Sequence, residues 1–207
     1  MLRFLTKALI ASGLITGGII AAHAPSTAGV TQSSFAPVGG PTSVPYGWVD
    51  FCQRYRAECE SPELSPAEIA LTPKTMKEIE RVNEWVNTNI TPMSDMEHWG
   101  VIDQWDYPTD GKGDCEDYAL LKRKLLIEEG MPRQALLMTV VKDLNNEGHA
   151  VLTVKTNKGE FVLDNMRDDV RPWTQTGYRF VKRQSQTNEN VWVSIGTPTE
   201  APAYVSR

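Results

Sequence analysis

The chain has 207 residues, 41% hydrophobic and 23% charged, with a net charge of −5, which suits one globular domain with a sizeable core and end segments outside it. The acidic balance argues against a nucleic-acid binder, since phosphate contacts need clustered Lys and Arg. The longest basic cluster, Lys122-Arg123-Lys124, reads as a solvated helix face.

At the N-terminus, Arg3 and Lys7 precede an apolar run from Ala8 to Ala22, and Ala22-His23-Ala24 has the small-x-small form of a signal peptidase site. Residues 1–24 are therefore expected to be a cleaved export signal. The run contains Gly13, Gly17 and Gly18 and falls short of the ~20 residues that span a bilayer. Cleavage takes the net charge from −5 to −7, because Arg3 and Lys7 leave with the signal. Residues 25–45 carry no charge and are rich in Pro, Gly, Ser and Thr, the composition of a flexible leader. Residues 196–207 are unlike a core element, which leaves 46–195 as the folded domain.

Cys52, Cys59 and Cys115 make an odd set. In an oxidising compartment the first two can close a short loop worth about 2–3 kcal/mol in the chain-entropy picture, although three buried free thiols are the alternative. With the bridge formed, Cys115 is the cysteine left over.

Thr72 can cap a helix with Pro73 at its first position, and Met76, Ile79, Val82, Val86 and Ile90 repeat at threes and fours, predicting a core helix over 73–90. Residues 93–113 show no period and carry scattered aromatics, the pattern of a long ordered loop, and such loops are commonly functional. From Cys115 a second helix runs to a stop at Gly130 and Pro132. Beyond Pro132 the runs LLMTVV, HAVLTV, EFVLD, YRFV and VWVSI read as strands separated by turn signals. Helices followed by strands predict an α+β domain, N-terminal helices packed on a mostly antiparallel sheet.

The stretch GDCEDY sets Cys115 among Asp114, Glu116 and Asp117, whose charges disfavour a thiolate. A helix start offsets this through its positive dipole end, as does a neighbouring imidazolium. With His23 lost, the histidines left are His98 and His149. His149 opens one strand and Asp164 closes the next, and if the turn at Asn157-Lys158 is even, residue 156 faces 159 and 151 faces 164. His149 and Asp164 then share a face as diagonal neighbours, whereas an odd turn puts them on opposite faces. Cys115, His149 and Asp164 are thus candidates for nucleophile, base and orienting acid. The three acids either cap the helix dipole or hold a hard cation such as Ca²⁺. His98 is expected to be a hydrogen-bonded structural group, and Trp105 either lines the cleft or is simply buried.

Taken together, FCQRYRAEC, VIDQWDYPTDGKGDCEDYALLK, GHAVLTV and FVLDN resemble the bacterial transglutaminase-like cysteine proteinases. The resemblance implies a papain-like or transglutaminase-like cysteine protease fold, a triad falling on Cys115, His149 and Asp164, and Ca²⁺ at Asp114 and Glu116. It also implies a periplasmic location, a protein substrate and an inner-membrane receptor as partner. The paired cysteines set the chain in a shorter branch than the adhesin-processing one. The expected function is an exported cysteine peptidase. The alternatives are acyl transfer to an amine through the same intermediate, as in transglutaminases, and a non-catalytic Ca²⁺-responsive binding module.

Overall fold

A computed structural model describes residues 34–197 and 200–205. The expected export signal and the first part of the leader lie outside the described residues. In chain order the elements are β1 (Val38–Thr42), α1 (Tyr46–Arg54), α2 (Pro73–Asn89), β2 (Thr91–Pro92), α3 (Asp95–His98), β3 (Lys112–Gly113) and α4 (Cys115–Glu128). Six strands follow: β4 (Leu136–Lys142), β5 (Gly148–Thr156), β6 (Gly159–Asp164), β7 (Arg167–Pro172), β8 (Arg179–Gln184) and β9 (Trp192–Ile195). Seven strands form one antiparallel sheet in the order β1-β9-β8-β4-β5-β6-β7, so the fold is the expected α+β class. No described helix is long and apolar enough to cross a membrane.

Helix α2 starts where the sequence requires it: the Thr72 hydroxyl accepts from Thr75 N at 3.1 Å, and Pro73, which has no N–H to lose, takes the first position. It ends at Ile90, whose extended backbone leads toward Pro92. Ile79, Val82 and Val86 are buried from this helix, each worth about 1.5–3 kcal/mol of apolar burial. Its polar face also works inward: Asn83 Nδ2 donates to the carbonyls of Arg167 and Asp168, and Asn87 Nδ2 to that of Asp164 at 3.0 Å. The β6–β7 turn is thereby tied to α2, and with it the carboxylate at the end of β6.

Helix α4 lies between α2 and the sheet, packing on β4, β5 and β6. Little of it is left to face water, which corrects the reading of Lys122-Arg123-Lys124 as a solvated face. Lys122 is fully buried beside the Tyr118 ring, and Arg123 lies over Trp48 and donates through Nε to Leu136 O at 3.0 Å. The long alkyl stems of both residues fill apolar space between layers.

The ends of the domain also differ from expectation. Residues 38–42, read as leader, form β1 on the free edge of β9. Ahead of it, Ala36 N donates to Glu160 Oε2 and Ser34 O accepts from Glu160 N. An uncharged stretch can pair wherever an edge offers free backbone groups, and Pro41 is tolerated because this strand is itself an edge. At the other end Val205 is 3% exposed within the main apolar cluster, so this part of the tail packs on the domain.

The Cys52–Cys59 disulfide joins the end of α1 to the turn after it, with Cα atoms 5.6 Å apart. Cys115 is the free cysteine among the described residues, and it is buried.

Candidate active site

Strands β5 and β6 are joined by two residues, Asn157 and Lys158, with Thr156 facing Gly159 and Leu152 facing Leu163. This is the even turn that the sequence argument needed. Gly159 sits at φ +135°, a backbone conformation open to glycine and strained for other residues. His149 and Asp164 consequently lie on one face, and His149 Nε2 meets Asp164 Oδ1 at 2.9 Å. Asp164 is held from two further directions, by Tyr178 Oη donating to Oδ2 at 2.6 Å and Met166 N donating to Oδ1 at 3.0 Å. The Tyr178 ring stands at 83° to the imidazole, with ring centres 5.7 Å apart, so it also walls off the pair.

Cys115 opens α4 with its thiol pointing at the start of β5, where Ala150 N donates to Sγ at 3.4 Å. The structure therefore brings Cys115, His149 and Asp164 together. Burial works against a charged imidazole, but the hydrogen bond to Asp164, with the nearby charges of Cys115 and Asp164, raises His149 from 6.5 to about 10. Its Nδ1 is buried without a hydrogen-bond partner among the described residues, the loose approach common in a resting thiol–imidazole pair. Burial pushes the Asp164 carboxyl upward too, and the bonds from His149, Tyr178 and Met166 outweigh it, so that its pKa is lowered. The pair is built to hold charge.

On the other side of the thiol the acids are packed far more densely than expected. Asp114 and Glu116 are fully buried and Asp117 is 1% exposed. Asp95 from α3 and Asp103 from the following loop join them, with ligand oxygens of Asp95, Asp114 and Asp117, and of Asp95, Asp103 and Glu116, within 4.8 Å of one another. Loop backbone supplies many of the donors: Asp106 N and Asp114 N to Asp117, Asp95 N to Asp114, and Gln104 N to Asp95. Trp105 Nε1 adds a bond to Asp103 Oδ1 at 3.1 Å. The glycine of GDC is part of the design, since a Cβ at Gly113 would stand 2.7 Å from that of Asp117.

These bonds do not balance the charge. No lysine or arginine among the described residues forms an ion pair with Asp95, Asp103, Glu116 or Asp117. Burial, then neighbouring carboxylates, pushes Asp95 and Asp103 up to about 6, Asp117 to about 9 and Glu116 well above its ordinary value. Glu116 Oε2 accepts from the Cys115 thiol at 3.1 Å, and its Oε1 has no hydrogen-bond partner among the described residues. A buried set of hard oxygens with uncompensated charge fits a Ca²⁺ ion.

Two groups were missed by the sequence reading. Asp95 and Asp103 lie in the stretch 93–113, which shows no periodicity, although Ser94 and Glu97, joined at 2.8 Å, mark a helix start there. Tyr178 was read only as part of a strand. His98 matches expectation: Nε2 pairs with Asp110 Oδ2 at 2.9 Å and the ring stacks on Trp99. Trp105 is fully buried against Trp48 and Trp192, so its contribution is through its indole N–H.

Two solved structures share the fold. Calcium-bound LapG of Legionella pneumophila is 22% identical, with a TM-score of 0.51 over 66% of this chain and 77% of that one. EGTA-treated LapG of the same organism is 23% identical, with a TM-score of 0.50 over 64% and 73%. No curated protein matches. The family profile described as bacterial transglutaminase-like cysteine proteinase, BTLCP, matches residues 38–200, nearly the whole described chain. With a thiol at a helix start facing a sheet that pairs an imidazole with a carboxylate, and with that profile matched over residues 38–200, this chain is a member of the bacterial transglutaminase-like cysteine proteinase family and a cysteine peptidase.

Proposed function

We propose that the chain is an exported, calcium-binding cysteine peptidase in which Cys115 is the nucleophile, His149 the base and Asp164 the group that orients it. The observation carrying this reading is the 2.9 Å bond between His149 Nε2 and Asp164 Oδ1, which leaves the opposite ring nitrogen for the thiol at the start of α4. In that arrangement Sγ adds to the carbonyl carbon of a peptide bond while its proton passes to His149. The C–N bond then breaks and the leaving amine takes the proton. Water, deprotonated by the same imidazole, hydrolyses the thioester and frees the thiol. The Cys115 backbone N–H, at a helix start, is the proposed donor to the developing oxyanion.

Ca²⁺ is proposed at Asp114 and Glu116, with Asp95, Asp103 and Asp117 completing the oxygen set. The support is the packing of these groups and the existence of LapG in calcium-bound and EGTA-treated forms. Bound there, the ion would neutralise the acids that crowd the thiol and fix the loop 93–113 against the start of α4. The N-terminal sequence supports export to the periplasm, and family membership supports a protein substrate and an inner-membrane receptor as partner.

The test is a comparison of exported proteins and their termini in cells carrying the wild-type chain or Cys115→Ala. New termini that depend on Cys115 are expected. Identical termini in both would overturn the reading.

A further inference from the structure

The Cys115 thiol is 1% exposed and His149 is fully buried, so no peptide bond can reach them in this form and a covering segment has to move. Helix α4 and strands β4 and β5 are locked by their own hydrogen bonds and by packing on one another. The segment 201–205 is different: it belongs to no helix or strand, yet it crosses between the two sides of the site.

On the imidazole side it lies against Gly148, the residue before His149. A Cβ at Gly148 would collide with the carbonyl oxygen of Tyr204 and stand 2.8 Å from Pro202 Cβ. On the thiol side, the backbone amide of Val205 faces the Asp103 carboxylate and favours its charged form. Asp103 is grouped with Glu116, which in turn accepts from the Cys115 thiol. The Val205 side chain is 3% exposed and sits in the same apolar cluster as Cys115, Trp105, Val140 and Ala150. A cavity of about 260 Å³ remains beside the segment, bounded by Ser43–Tyr46 and Lys182.

We propose that the groove now filled by Ala201–Val205 is the one that receives an extended stretch of the polypeptide substrate, and that the C-terminus is a tethered occupant which the substrate displaces. The inference rests on the catalytic reading of Cys115 and His149. A strand held by main-chain contacts on both flanks, with one apolar side chain in a socket, is how an extended peptide is captured. Gly148 lets the occupant's backbone come close, and the Ala, Pro and Ala side chains of the segment keep it there. The socket filled by Val205 selects an apolar side chain of about that size in the substrate. Tethering gives the segment a millimolar effective concentration, so modest contacts are enough to keep the groove closed.

Alkylation of Cys115 by iodoacetamide reads access directly, because Cys52 and Cys59 are bridged. It is measured in the full chain, in a chain ending at Glu200, and in Gly148→Ala, which pushes the segment out and leaves its sequence intact. Both variants should react on the order of tenfold faster or more, and the synthetic peptide Ala-Pro-Ala-Tyr-Val-Ser-Arg should slow the shortened chain again. If the shortened chain does not fold, Gly148→Ala decides by its rate alone, since its Cβ keeps the free peptide out of the groove as it does the segment. Unchanged rates in either variant, or a faster rate in the shortened chain on which the peptide has no effect, would overturn the proposal. Alkylation needs no turnover, so the two readings fail separately. An opened thiol with no Cys115-dependent cleavage removes the catalytic reading, whereas an unopened thiol with such cleavage removes the tethered occupant.

Discussion

The two sides of the Cys115 thiol are built on opposite electrostatic plans. On the β5–β6 hairpin a single carboxylate meets a single imidazole, and Asp164 is satisfied by His149, Tyr178 and Met166. Across the thiol, five carboxylates converge with loop backbone as their main company. The hairpin is complete within the chain, whereas the acidic nest would be completed by the cation proposed for it. Geometry set by local pairing stands without help, and geometry that gathers like charges in a buried loop gains from a bound counter-charge.

The largest effects come from breaking the hairpin. His149→Ala should abolish hydrolysis of a protein substrate, and Asp164→Asn should leave a folded chain slowed by about 10⁴, because the imidazole loses the partner that fixes its tautomer. Steady-state rates with matched melting curves check both, and a His149→Ala chain with full activity would sink the triad.

Next in size is removal of the ion. An ion bound only to the folded chain stabilises it by ~2.7 kcal/mol at a hundredfold excess over its dissociation constant. Chelation should therefore lower the melting temperature by several degrees, and Asp114→Ala in abundant Ca²⁺ should reproduce the chelated protein. The pH dependence sharpens this. Asp95 and Asp103 titrate at about 6 and Asp117 at about 9 in the folded chain, each above its ordinary value. The folded state thus holds more protons than the unfolded one, and stability falls as pH rises. In EGTA the melting temperature should drop steadily from about pH 4 through pH 9, and saturating Ca²⁺ should flatten that slope. Calorimetry that detects no Ca²⁺ binding at millimolar concentration would reduce the nest to helix capping.

Smaller effects test the supports behind each side. Tyr178→Phe keeps the ring wall beside His149 and removes the donor to Asp164 Oδ2. A hydrogen bond to a charged group is worth about 1.5–3 kcal/mol, so kcat should fall by roughly tenfold or more with KM little changed. A fall in melting temperature with kcat intact would mark Tyr178 as merely structural. The smallest change is expected at Lys122, a buried ammonium with no hydrogen-bond partner among the described residues, lowered by burial to about 7. Replacement by Met, which keeps the apolar stem, should be neutral or stabilising by about 1 kcal/mol at pH 6. The gain should shrink as pH rises above 7, where the folded wild-type chain has lost the proton. Thermal melts at pH 6 and pH 9 compare the two.

What the sequence by itself determined is local. Thr72 and Pro73 fix the start of α2 because one supplies an acceptor and the other needs no donor. The two-residue turn at Asn157-Lys158 fixes register, and register alone sets His149 and Asp164 on one face, since side chains alternate strictly along a strand. A separation of seven positions is short enough to bring Cys52 and Cys59 together. Tertiary structure decided everything that depends on what lies across a layer. Lys122 and Arg123 look solvent-bound in sequence and are buried because α4 is covered on both sides. Residues 38–42 gained a strand from the free edge of β9, and Val205 gained a socket in the core. Asp95 and Asp103 reach Glu116, the neighbour of the thiol, only because α3 and its loop fold back over the start of α4. No periodicity encodes that approach: it is set by backbone donors, a glycine with no Cβ and the packing of Trp105, each of which acts through space between residues far apart in the chain.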